Sequence, residues 1–180
     1  MMRKLLFLLA FAFAAMLQAA DFVTESRWIT ASEGDVNSQN TWIAFRKDIT
    51  LGSIPMKVEA SIAAASKYWL WINGEMVVFE GQLKRGPTPK DTYYDKVDIT
   101  PFLKKGNNEV AVLLWYFGKS GFSHNSSGKS GLLFSAQAIG LYSDSQWMSR
   151  IHPAYGTCGD PKPNGRLSES SIKYDGNKDL

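Results

Sequence analysis

The sequence has 180 residues, with 20 Lys and Arg against 17 Asp and Glu and a formal charge of +3. Without Arg3 and Lys4, which belong to the leader described next, 18 basic residues face 17 acidic ones, so charge makes no case for nucleic acid or an anionic membrane as a partner. The lone cysteine, Cys158, excludes an internal disulfide and reads as an incidental thiol in a Gly/Pro-rich loop.

Arg3 and Lys4 precede an unbroken apolar run over residues 5–17, and Ala19 and Ala20 then supply small residues before Asp21. That order predicts a secretory signal peptide over residues 1–20, since the run is too short to span a bilayer. No cysteine stands at the cleavage position, so no lipid anchor is indicated, and the expected location is periplasmic or secreted. About 160 residues then remain, enough for one domain with a sizeable core.

Beyond the leader the hydrophobic period is two. Residues 42–47 read as a strand, and residues 56–62 alternate apolar and polar as a half-buried strand does. Residues 68–72 end in Asn73-Gly74, a hairpin signal because a type I′ turn needs two positive φ angles, and residues 76–79 should return from it. Gly86-Pro87-Thr88-Pro89 marks a loop within residues 81–90, and residues 93–99 form a further extended segment. Thr100 should cap a single helical turn with Pro101 at its first position. Residues 109–116 are the longest β-type apolar run, 118–129 a long Gly/Ser/Asn-rich loop, 131–142 a returning strand, and Gln146-Trp147 opens another. Periodicity disappears from His152 onward. Many short strands and no long amphipathic helix predict an all-β antiparallel sandwich or jelly roll over residues 21–150. Residues 151–180 then read as a linker or the start of a next module, in a chain cut from a longer protein.

Two strands are apolar on both faces. Leu70 and Ile72 oppose Trp69 and Trp71, while Val110, Val112 and Leu114 oppose Leu113 and Trp115. A sheet with one wetted face should alternate. Exposing these side chains would cost on the order of 1.5–3 kcal/mol each, so something should cover the second face.

The segment Lys67-Tyr68-Trp69-Leu70-Trp71-Ile72-Asn73-Gly74-Glu75, followed by Asp98-Ile99-Thr100-Pro101-Phe102-Leu103-Lys104-Lys105-Gly106-Asn107-Asn108-Glu109-Val110-Ala111-Val112, resembles the galactose-binding-like jelly-roll domains of glycoside hydrolases. The Trp-rich form resembles the N-terminal region of bacterial α-L-rhamnosidases, over residues 28–175 and including the late Arg166-Leu167-Ser168-Glu169-Ser170-Ser171-Ile172 passage. The resemblance implies a non-catalytic accessory domain, with the catalytic acid and base on a separate helical barrel further along the same parent chain. It also implies a parent reaction that hydrolyses terminal rhamnosyl bonds with inversion. The two partners implied are a glycan and that C-terminal catalytic domain. The rival readings are a free-standing carbohydrate-binding module and a ligand-free structural or adhesion domain.

Glycoside cleavage needs two carboxyl groups about 5–9.5 Å apart across the sugar. Glu75 and Glu80 fall on opposite strand faces, as do Asp95 and Asp98, so surface charge is the better reading and no catalytic residue is assigned. His124 and His152 do not make a metal centre, and no dense Asp/Asn loop specifies the structural Ca²⁺ that a jelly roll can carry. No cofactor is assigned. For sugar contact the candidates are Tyr93, Tyr94, Asp95, Asn73 and His124, the two tyrosines being the ones expected to be exposed. Trp69, Trp71, Trp115 and Tyr116 are expected in the core or at a domain interface.

Overall fold

The computed structural model describes residues 22–82, 92–122, 124–159 and 170–179. The leader, the Gly86–Pro89 turn and the Arg166-to-Glu169 part of the late passage lie outside them. No helix among the described residues is long and apolar enough to cross a membrane.

The longest apolar run becomes the longest ladder. Strand β6 (Gly106–Tyr116) pairs antiparallel with β1 (Thr41–Leu51) over eleven positions, from Thr41 opposite Tyr116 to Leu51 opposite Gly106. On its other side β6 takes β3 (Lys67–Ile72), which turns into β4 (Glu75–Gln82). With β9 (Met148–Ile151) beyond β1, the first sheet runs β4-β3-β6-β1-β9. Facing it is a four-stranded sheet, β5-β2-β7-β8, of β5 (Asp95–Asp98), β2 (Glu59–Ala64), β7 (Leu132–Ala136) and β8 (Leu141–Tyr142). Every pairing is antiparallel. The result is the expected all-β sandwich.

The core between the sheets comes from one face of each strand. Ile43, Phe45, Leu70, Ile72, Val110, Val112 and Leu114 from the first sheet meet Ala60, Ile62, Leu132 and Phe134 from the second, all essentially sealed from solvent. Trp147 completes it, its indole N–H donating to the Tyr142 carbonyl at 2.8 Å.

Local signals fare unevenly. Asn73 (φ 53°) and Gly74 (φ 81°) adopt the two left-handed conformations that the β3–β4 turn demands. Strand β2 starts at Glu59 rather than at Met56, which is 99% exposed. Thr100 is not a cap. It is the first residue of a 3₁₀ turn, Thr100–Phe102, and the carboxylate of Asp98 accepts from its N–H (3.0 Å) and hydroxyl (2.6 Å). The Thr100 oxygen in turn accepts from the Val58 N–H at 2.7 Å, joining the turn to the start of β2. The expected strand over 131–142 breaks after Ala136 at a 3₁₀ turn ended by left-handed Gly140 (φ 62°). The aperiodic tail holds a ribbon, β10 (Tyr155–Thr157) with β11 (Ile172–Tyr174). Residue 150, the expected domain limit, falls inside β9, and Ile151 still pairs with Ile43.

Candidate functional site

The second face of the five-stranded sheet follows from the register. Lys67, Trp115 and Trp42 form one row across β3, β6 and β1; Trp69, Leu113, Ala44 and Arg150 form the next, reaching β9; and Trp71, Ala111, Arg46 and Met148 form the third. Large rings occupy the first two rows, so the face closes on itself as a second apolar cluster of Trp42, Trp69, Leu113, Trp115 and Phe117.

Trp42 is the centre. Its ring stacks on Trp115 at 4.6 Å, on Trp69 at 5.5 Å and on Tyr155 at 4.4 Å, the last carried in by the β10–β11 ribbon. Phe79 meets Trp69 edge-on and Phe117 meets Trp115 edge-on. Lys67, buried, ion-pairs with Glu80 at 3.2 Å and holds its ammonium 5.7 Å from the Trp115 ring. The protein's own side chains therefore cover much of the face that the sequence left oily.

Cover fails in the third row. Ala44 and Ala111 are diagonal neighbours with small side chains, which leaves a groove of ≈ 600 Å³ between Trp71 and Tyr155. Trp71 and Tyr155 are half-buried; Arg46, Met148 and Arg150 are exposed; His152 is buried at one end. Arg46 is held by Glu109 at 2.8 Å and Asp48 at 3.3 Å. The Arg150 guanidinium has no ion-pair or hydrogen-bond partner among the described residues.

The C-terminal ribbon is clipped to this end. The Asp179 carboxylate lies 3.5 Å from His152 Nε2 and accepts the Tyr174 hydroxyl at 2.6 Å, while Tyr174 packs against Tyr155. That hydrogen bond pushes the Tyr174 phenol up to about 12. Burial, and then Asp179, raise Tyr155. Burial lowers His152, with Asp179 opposing and Arg150 adding to the fall.

The residues expected to touch sugar scatter. Tyr93 (49% exposed) and Tyr94 precede β5 at the edge of the other sheet, with Tyr94 edge-on to Phe22. Asp95 accepts from the Tyr68 hydroxyl (3.1 Å) and the Gln82 N–H (2.7 Å), so it ties β5 to the end of the β3–β4 hairpin. Burial, and then Asp95, push the Tyr68 phenol up. Gly81 lies opposite Tyr68, where a Cβ would come within 2.3 Å of the ring. Asn73 is a clasp: its amide donates to the Phe102 carbonyl (2.8 Å) and Asn108 (3.0 Å), and its oxygen accepts from the Glu109 N–H (3.2 Å). His124 is buried against Phe117, 3.2 Å from the Ser66 hydroxyl, and desolvation lowers its pKa. Trp69, Trp115 and Tyr116 are buried, whereas Trp71 lines the groove. Arg46, Arg150 and Tyr155 were not singled out by sequence, and His152 was weighed there only as a metal ligand. The Ala44-Phe45-Arg46 alternation in β1 was the available signal, but nothing local tells that Arg150 and Tyr155 arrive beside it. Among the described residues no group of three or more His, Cys, Asp or Glu is placed to hold a metal ion.

No family model and no curated protein matches the sequence. Solved structures do match. The chain is similar to a GH78 family rhamnosidase of Bacillus sp. GL1, with 28% identity and a TM-score of 0.61, over 72% of this chain and 14% of that one. It shares its fold with α-L-rhamnosidases from Dictyoglumus thermophilum (17% identity, TM-score 0.57, 87% of this chain and 19% of that one) and Aspergillus terreus (22%, 0.54, 72% and 17%). The chain thus spans less than a fifth of each of these enzymes.

Proposed function

We propose that this chain is the non-catalytic accessory β-sandwich of an exported α-L-rhamnosidase-like glycoside hydrolase, which supports the catalytic domain and holds glycan on the outer face of its five-stranded sheet. The observation that carries this reading is the coverage: a fold that takes up 72% of this chain takes up 14% of the Bacillus enzyme. The carboxylates point the same way. Asp95 is engaged by Tyr68 and Gln82, Asp98 by Thr100, Glu80 by Lys67 and Glu109 by Arg46. Thr100's hydrogen bonds hold the Asp98 carboxyl below its usual range, the reverse of what a general acid needs. The apolar run of residues 5–17 supports export.

A second reading is a free-standing carbohydrate-binding module. It is favoured by the covering of Trp42 and Trp115, each 2% exposed, by the chain's own rings. In that setting Tyr93 and Tyr94 form an alternative sugar contact.

The test is to incubate the purified chain with an aryl α-L-rhamnoside and to run it over a glycan array. Glycan retention without rhamnose release supports the proposal, and rhamnose release by the chain alone contradicts it. Retention is common to both readings, which the solution state then separates: aggregation of the isolated chain favours a domain deprived of its partner, and monomeric behaviour favours the free-standing module. Absence of retention contradicts the glycan-holding role.

A further inference from the structure

We infer that the groove between Trp71 and Tyr155 is a subsite for an acidic sugar, a uronate residue of a glycan, with its carboxylate at Arg150. This rests on the proposed glycan-holding role and adds to it both a place and a ligand class.

The geometry supplies three parts. Ala44 and Ala111 give a shallow apolar floor, on which the C–H face of a pyranose ring can lie without a steric conflict. Trp71 and Tyr155 are flat, half-exposed walls that would bury that ring's edges. The volume, ≈ 600 Å³, lies within the roughly 300–1,000 Å³ of ordinary small-molecule sites.

Charge then selects the ligand. The two groove arginines are not equivalent. Arg46 already faces Glu109 and Asp48, so that end carries no spare positive charge and would repel an anion. Arg150 stands diagonally from it across the β1–β9 ladder, unpaired among the described residues. Asp179, the carboxylate on the ribbon side, is engaged by His152 and Tyr174. A planar guanidinium next to an apolar floor recognises a carboxylate by paired N–H donors, where a neutral hydroxymethyl group offers a single acceptor.

The experiment compares digalacturonic acid with the neutral disaccharide made by reducing its carboxyls, using calorimetric titration of the full chain. The wild type should bind the acid roughly tenfold or more tightly than the neutral sugar, from a charge-assisted pair. Arg150→Met, which keeps the apolar stem, should cost the acid far more than the neutral sugar and so bring the two affinities together. Trp71→Ala should weaken both. Near-UV circular dichroism checks that each variant is folded. Equal wild-type affinities, with both lost in Trp71→Ala, would overturn the acidic preference and leave the glycan reading standing. A preference that survives Arg150→Met would also overturn it. Binding of neither sugar would overturn the subsite, and with glycan-array retention intact the wider reading would survive.

Discussion

Replacing Trp42 by Ala tests whether the outer face is a second core or merely a greasy surface. Its ring lies 2% exposed at the meeting point of Trp115, Trp69 and Tyr155, with three stacked contacts between 4.4 and 5.5 Å. A buried Trp→Ala change costs about 3–5 kcal/mol, and the lost ring pairs, at about 0.5–1.5 kcal/mol each, place Trp42 toward the top of that span. For a domain of this size each kcal/mol moves Tm by about 2–4 °C, so the midpoint should fall by about 6–20 °C. Thermal unfolding followed by circular dichroism reads this directly, and the signal of the stacked indoles should vanish with the ring. The control is Trp28→Ala, whose side chain is 52% exposed and should cost about 1 kcal/mol or less. If Trp42→Ala shifts the midpoint no more than Trp28→Ala does, the stack contributes nothing and the second-core argument fails.

Asn73→Ala removes three hydrogen bonds and places a side chain that disfavours it at φ 53°, so the urea midpoint should fall by an amount equivalent to about 2–4 kcal/mol; Asn73→Gly, which relieves only the backbone, should recover part of it. Gly81→Ala drives a Cβ into the Tyr68 ring and should cost about 1–3 kcal/mol by the same assay, with the loss reduced in a Tyr68→Ala background. Burial lowers the His124 pKa below its ordinary 6.5, so the unfolded chain binds more protons there and stability should decrease as pH falls through and below that value; His124→Gln should flatten this part of a stability–pH curve. In a spectrophotometric titration Tyr174 should ionise near 12, and Asp179→Asn should bring it back toward 10.

The architecture was legible because its strands are strongly patterned. Two-sided apolarity at Trp69, Trp71, Leu113 and Trp115 announced a covered second face, and Asn73-Gly74 announced its hairpin. What stayed hidden depends on contacts distant in sequence. Tyr155 sits in an aperiodic, Pro/Gly-punctuated tail, yet it seals Trp42 more than a hundred residues earlier. Arg150 alternates in β9 like any surface residue, and only the pairing of Ala44 with Arg150 brings it to the groove. Asn73 and Asp95 looked like sugar-binding polar groups beside aromatics. Each is instead committed to backbone and side-chain partners that hold the hairpin and the edge strand in place. Residue type suggested a ligand, and hydrogen-bond satisfaction decided for structure.

The six indole N–H resonances of the labelled chain, followed while digalacturonic acid is added, test most directly whether the face around Trp71 is the working surface. Trp71 should shift saturably, with Trp28 and the core Trp147 unmoved. Saturable movement of Trp28 alone, or no indole movement while the sugar demonstrably binds, would place the glycan elsewhere and contradict this assignment.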